Sequence, residues 1–188
     1  DGQRYDIVEI GDQCWMAENM NYGEVLATSS DEPTDNGTVE KWCPMEDDYT
    51  GAVDETLCDN SGGLYSWSEA MEYTVIPGFQ GICPQGWHIP TEDEMFALED
   101  YLDGIGINAN HLKEGGSLGF NWPYDGRWDT DEIFQNKGSR GYLWTSDRYS
   151  DFHGWYWRIG AGESYMTRDD TSREKGFSIR CLRDTQAE

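Results

Sequence analysis

Two stretches decide how this chain folds: Cys83-Pro84-Gln85-Gly86-Trp87-His88-Ile89-Pro90-Thr91, and Gly176-Phe177-Ser178-Ile179-Arg180-Cys181 near the end. The first leads into a helix start. Thr91-Glu92-Asp93-Glu94 is a capping-box pattern, with three carboxylates in the first turn where the helix dipole favours negative charge. Met95, Leu98 and Leu102 follow as an apolar stripe. Pro90 blocks extension backwards and Gly104 is a natural stop, so a helix is predicted over residues 92–103. The second stretch reads as the closing strand, residues 177–182. Position pairs Cys83 with Cys181, which ties that strand to the base of the helix. Closing so long a loop contributes roughly 4–5 kcal/mol on the chain-entropy argument.

The other cysteines follow by position. Cys43 and Cys58 bracket an acidic, apolar-poor stretch, residues 45–57, that needs a staple to be ordered, and they are paired. Cys14, beside Trp15 and Met16, is left as a buried free thiol. No paired C-x-x-C spacing is present, so disulfides in an oxidising compartment explain the count better than zinc or redox chemistry.

Working outward, residues 5–16 alternate as two short strands joined at Gly11-Asp12. Residues 23–60 form an elaborated acidic loop, longer than an ordinary connection. Ser66-Trp67-Ser68-Glu69 repeats the capping pattern before a short helix over 70–73, with Trp67 and Met71 on one face. Beyond Leu112 the chain is punctuated by glycine, with strands over 142–145 and 155–159 and a turn at Gly160-Ala161-Gly162 into a strand over 164–168. Residues 1–188 are read as one α+β domain, long enough to bury a sizeable core.

Thirteen basic against 37 acidic side chains give a net charge of -24. That field repels phosphate backbones and anionic lipid, so neither nucleic acid nor direct membrane insertion is expected. An aromatic content of 14%, with nine Trp and eleven Tyr, excludes a disordered chain. There is no apolar run long enough to cross a membrane, and Asp1-Gly2-Gln3-Arg4 has no signal-peptide character. The expectation is a processed or trimmed exported domain, extracellular or on a cell or virion surface.

Four blocks in order resemble the Fibrobacter succinogenes major paralogous domain. They are Gln13-Cys14-Trp15-Met16-Ala17-Glu18-Asn19-Met20-Asn21-Tyr22, Gly63-Leu64-Tyr65-Ser66-Trp67, the Cys83 to Thr91 stretch, and the end from Gly176 to Asp184. The Gly-Phe-Ser-Ile-Arg-Cys ending is also similar to the last strand of the C-type lectin-like fold, shared with formylglycine-generating enzymes and with targets of diversity-generating retroelements. The resemblance implies two helices flanking a small, irregular antiparallel β-sheet. It also implies a helix-to-last-strand disulfide, in agreement with the positional pairing of Cys83 and Cys181. It does not imply an activity, because such folds host binding modules and enzymes alike.

No catalytic constellation is present in the sequence. His88, His111 and His153 lie in no metal motif, and His88, between Trp87 and Ile89-Pro90, is read as structural. Formylglycine-generating enzymes use two cysteines close together late in the chain; only Cys181 stands there. A non-enzyme that requires no cofactor is expected. Asp47, Asp48, Asp54 and Asp59, with Glu55, offer hard oxygen ligands for a structural calcium, as does the acidic turn 125–132. Neither matches an EF-hand loop, and solvated acidic loops are the default reading.

Recognition is the favoured function. Period-2 alternation over 155–159 puts Trp155, Trp157 and Ile159 in the core and Tyr156 and Arg158 on the surface. Together with Asp147, Arg148, Tyr149, Asp151, His153, Tyr165, Thr167 and Asp169, these two form the candidate ligand face. Tyr and Arg supply rigid contact area and directed hydrogen bonds. The resemblance to retroelement targets implies that exchangeable residues lie in this late segment. The expected partner is a protein or a glycan on a cell or virus surface. A carbohydrate-directed adhesin is the alternative, with Trp122 and Trp128 stacking on sugar rings. A structural module of a surface appendage or envelope is the third reading.

Overall fold

A computed structural model describes residues 3–184. The strands are β1 (Ile7–Ile10), β2 (Gln13–Met16), β3 (Glu24–Val25), β4 (Glu40–Lys41), β5 (Trp87–His88), β6 (Arg127–Trp128), β7 (Phe134–Gln135), β8 (Arg140–Arg148), β9 (His153–Gly160), β10 (Thr167–Ser172) and β11 (Leu182–Arg183). The helices are α1 (Cys58–Ser61), α2 (Trp67–Ala70) and α3 (Glu92–Gly104).

The opening hairpin forms as expected, with Ile7 opposite Met16 and Ile10 opposite Gln13. Gly11 sits in its turn at φ +60°, and a β-carbon there would meet the Tyr101 ring at 2.8 Å, so both backbone and space require glycine. The hairpin belongs to a sheet of order β1-β2-β11-β5, which brings the start and end of the domain together. A second sheet has the order β10-β9-β8 and is antiparallel throughout. Two-stranded pairs, β3 with β4 in parallel and β6 with β7 antiparallel, complete a mixed architecture of few helices and several small sheets.

The helix α3 carries both capping-box bonds: Thr91 Oγ1 accepts from Glu94 N–H, and the Glu94 carboxylate accepts from Thr91 N–H at 2.8 Å. Met95, Leu98 and Leu102 are its buried stripe. The short helix lies three residues earlier than the pattern suggested, at Trp67–Ala70. Ser66 caps it alone, because the Glu69 side chain turns instead to the backbone of Glu40, and Glu72 and Tyr73 adopt φ of 47° and 58°, which ends the helix.

Residues 177–182 are fully buried but do not form one strand. Only Leu182 and Arg183 pair in a sheet; the rest hands its bonds from one partner to the next. Phe177 bridges to Tyr65, Ser178 O accepts from Trp144 N, Ile179 O from Met20 N and Cys181 O from Met16 N. This segment therefore stitches the two larger sheets together. The strand expected at 164–168 falls at Thr167–Ser172, since Ser164 and Tyr165 still belong to the exposed turn.

Both disulfides form as paired from position, Cys43 with Cys58 and Cys83 with Cys181, and Cys14 is free and buried. Two cores lie on opposite faces of β8 and β9. One gathers Trp67, Met71, Ile89, Trp144, Tyr156, Phe177 and Ile179 around the second disulfide. The other packs α3 and Trp15 against Leu143, Trp157 and Ile159. A third, smaller core holds the acidic loop: Leu26, Trp42, Met45 and Leu64 with Trp128 and Phe134. The loop is thus ordered by apolar packing as well as by its disulfide.

A charged network lies in the interior around Arg180. Arg180 is 1% exposed. It donates from Nε and Nη2 to Asn19 Oδ1 and from Nη1 to the Phe120 carbonyl. Asn19 Nδ2 in turn donates to Asp125 at 3.2 Å. Burial lowers the Arg180 pKa to about 9 and raises that of Asp125 to about 6. Two of the sequence blocks, carrying Asn19 and Arg180, meet in this bridge.

Candidate functional site

Cross-strand register sorts the expected ligand residues onto two faces. Arg158 stands opposite Thr167 and Tyr156 opposite Asp169, so these four side chains share one face. His153 and Trp155 pair with Ser172 and Asp170 on the other. The single display face read from the sequence is therefore divided.

The first face is largely spent on structure. Tyr156 is only 8% exposed, tilted against Tyr142 and edge-on to Phe177, so its assignment to the ligand surface is corrected. Period 2 failed because both faces of β9 are covered, which removes the alternation between solvent and core. Arg158 is held by Glu163 at 2.6 Å, and the Thr167 hydroxyl is buried with no partner. Asp169 is exposed on the edge strand, and Tyr165 stands in the exposed turn before it.

The second face builds a contiguous strip. The Arg168 guanidinium lies 3.4 Å over the Trp155 ring and 5.5 Å from that of Phe96. Tyr149 meets Trp155 edge-on at 5.1 Å and Phe96 meets Trp157 edge-on at 5.1 Å. His153 Nδ1 is 2.7 Å from the Asp170 carboxylate. Tyr149 is 58% exposed and Phe152 80%. Arg148 pairs with Asp151 at 2.8 Å on the same loop.

Behind the strip sits Glu92. Its carboxylate, buried in the first turn of α3, accepts from Thr145 Oγ1 and Trp157 Nε1 at 3.0 Å each and from Arg168 Nε. Asp147 accepts from the Glu92 backbone N–H at 2.9 Å, and burial raises its pKa. Asp147 therefore ties the end of β8 to the first turn of α3. Glu92, Phe96, Trp155 and Arg168 were not among the expected site residues. Phe96 carried a legible signal, an aromatic off the apolar stripe of its helix. The other three did not, because Glu92 meets Arg168 across 76 residues of chain and Arg168 reaches Trp155 only by cross-strand packing.

Trp122 and Trp128 are 1% and 2% exposed, which corrects their assignment as sugar-stacking platforms. Trp128 stacks on Trp42 with centroids 4.0 Å apart and donates from Nε1 to Ser29 O; Trp122 packs against Phe120. A large aromatic ring is worth more in the core than on the surface, and these two fill it.

Two of the acidic loop side chains have hydrogen-bond partners. Asp47 accepts from Lys137 N–H at 2.8 Å, Asp54 caps the turn at Thr56, and Asp48 holds φ 59°. Asp59 is exposed on α1. Among the described residues no three His, Cys, Asp or Glu side chains, Asp47, Asp48, Asp54 and Asp59 included, gather as a metal-ligand set.

His88 lies between two carboxylates, with Nδ1 2.7 Å from Asp184 and Nε2 3.0 Å from Glu94. Burial alone would lower its pKa, but these two partners outweigh it and raise the imidazole above its ordinary value. The arrangement locks β5, α3 and the residue after β11 together.

Residues 8–183 match the family model of the Fibrobacter succinogenes major domain. No curated protein and no solved structure matches the chain.

Proposed function

The chain belongs to the Fibrobacter succinogenes major domain family, and from that premise we propose that it is a non-catalytic recognition domain of an exported surface or virion protein, binding a protein partner. The observation that carries this is the strip of Phe96, Arg168, Trp155 and Tyr149, with Phe152 exposed on the adjoining loop: Glu92 holds the Arg168 guanidinium, which lies over Trp155 and beside Phe96, and Tyr149 meets Trp155 edge-on. Aromatic and Arg anchors held on rigid elements are what productive protein interfaces use, because little side-chain entropy remains to be lost on binding. Two disulfides suit an oxidising compartment, and no helix among the described residues is long and apolar enough to cross a membrane. The C-type lectin-like scaffold is supported by the Cys83 to Cys181 bridge and by the closeness of the first and last strands.

If the late segment is diversified as in retroelement targets, the exchangeable positions are Tyr149, Asp151, Phe152, Tyr165 and Asp169, which face solvent. Asp147, Tyr156, Arg158 and Thr167 are tied into the fold and would tolerate little exchange.

The test is binding of the labelled domain to a panel of intact bacterial cells, measured by cytometry. A Tyr149→Ala, Phe152→Ala double variant is expected to lose the binding that the wild type shows. An Ile7→Ala, Ile76→Ala variant, which removes exposed apolar groups elsewhere, is expected to keep it. Equal binding by all three proteins would overturn the assignment.

A further inference from the structure

The connection from β3 to β4 carries Thr34-Asp35-Asn36-Gly37-Thr38, and Asn36 is the only asparagine of the sequence that precedes a glycine. Asn36, Gly37 and Thr38 are all exposed. Gly37 stands at φ +83°, and a β-carbon there would meet nothing within 4 Å, so no neighbour crowds this position. Among the described residues no hydrogen bond holds the Gly37 N–H. The Asn36 side chain, by contrast, is held at both of its polar atoms. Its Oδ1 accepts from the Thr38 N–H at 2.8 Å, and its Nδ2 donates to Thr34 Oγ1 at 3.1 Å. These bonds fold the carboxamide back along its own backbone, beside the peptide that follows. They also aim the Thr38 N–H at the oxygen where negative charge develops when Asn36 Cγ is attacked.

We propose that Asn36 is a site of spontaneous modification in the folded domain, converting to aspartyl and isoaspartyl forms through a cyclic imide. The Gly37 nitrogen loses its proton to base and attacks Asn36 Cγ. The N–Cγ bond forms, the Cγ–Nδ2 bond breaks, and Nδ2 takes a proton from water and leaves as ammonia. Water then adds to either carbonyl of the five-membered ring and opens it. Opening at one carbonyl restores the backbone with a carboxylate side chain; opening at the other routes the chain through the former side chain and lengthens the backbone by a methylene. No oxidant, metal or enzyme enters. Each product carries an added negative charge among Asp31, Glu32, Asp35 and Glu40, in a chain already at -24, and loses the Nδ2 bond to Thr34. Conversion thus acts as a clock that charges and loosens the connection from β3 to β4. The other asparagines lack this combination. Asn19 is buried with its side chain bonded to Ser61, Asp125 and Arg180. Asn60 is exposed but lies within α1 and is followed by Ser61, whose side chain shields the attacking nitrogen.

The test is peptide mapping by mass spectrometry of the purified domain held in heavy-oxygen water at neutral and at mildly alkaline pH, with circular dichroism to follow the fold. The peptide containing Asn36 is expected to take up heavy oxygen and to resolve into a pair of products, one of them a substrate for isoaspartyl methyltransferase. It should be half converted within weeks at neutral pH and sooner at alkaline pH, because the attacking nitrogen must lose its proton. Asn60 is the comparator within the same chain and is expected to convert at least an order of magnitude more slowly. Asn36→Gln, which would have to close a larger ring, is expected to stay folded and to accumulate neither product. An Asn36 peptide left unchanged in the folded domain would overturn the proposal, as would conversion that begins only after unfolding or that runs no faster than at Asn60.

Discussion

The buried Glu92 carboxylate in the first turn of α3 accepts the Nε–H of Arg168 on the edge strand β10, so the most conspicuous cation of the surface strip is anchored by a residue inside the domain. Glu92 thereby links helix, central sheet and edge strand through one side chain. Removing its charge leaves Arg168 on Trp155 by stacking alone.

Glu92→Ala is expected to cost about 3–5 kcal/mol, because it strips acceptors from Trp157, Thr145 and Arg168 together. Glu92→Gln retains an acceptor for the first two and is expected to cost about half as much. Arg168→Ala, at a partly exposed position, is expected to cost about 1–3 kcal/mol. Chemical denaturation of the three variants checks the order, and hydrogen exchange along β10 should rise in each.

The two disulfides should contribute unequally. Cys83 and Cys181 are 98 residues apart and Cys43 and Cys58 only 15. Replacing the first pair by serine is expected to cost about 4–5 kcal/mol and the second about 3 kcal/mol on the chain-entropy argument. The smaller core of Trp42, Met45 and Leu64 should keep the acidic loop protected from proteolysis in the second variant. Rapid cleavage within residues 45–57 would show that the disulfide alone orders it.

Stability should depend on pH through His88 and Asp125 in a defined direction. The folded His88 pKa lies above the ordinary value of 6.5, so its contribution is fully present below about pH 6.5 and is lost as pH rises through the folded pKa. His88→Gln should therefore be most damaging near pH 6 and least so at about pH 9. Asp125 has the opposite logic to a salt-bridged carboxylate. Its folded pKa is raised by burial from 3.8 to about 6, so the folded state binds the proton more tightly and loses stability as pH rises between those values. Asp125→Asn is expected to gain on the wild type across that window, by up to about 3 kcal/mol, and to hold a constant advantage above it. Thermal unfolding of both variants from acid to alkaline pH measures this.

Trp128→Ala is expected to destabilise by about 3–5 kcal/mol, since it empties a site 2% exposed and stacked on Trp42. Tyr149→Ala and Phe152→Ala should stay near 0.5 kcal/mol each, as surface positions do. Comparable losses at all three positions would mean that the exposed rings carry structure and not recognition.

Local rules made much of the fold legible. The α3 boundaries came from Thr91, Pro90 and Gly104, and the hairpin from Gly11-Asp12. Both disulfides followed from where the cysteines stand, and the free Cys14 from what remained. Each of these depends on a few neighbouring residues or on a covalent pair. The candidate site was less legible. Tyr156, Trp122 and Trp128 read as surface residues, and they fill cores.

By itself, the sequence determined an acidic, aromatic-rich chain with a capped helix, a hairpin and two staples, because caps, turns and disulfides are short-range or covalent chemistry. Only the tertiary structure decided which aromatic rings face solvent. That choice depends on covering both faces of β8 and β9 with separate cores and on bringing Glu92 to Arg168 across 76 residues of chain, and no local periodicity encodes either.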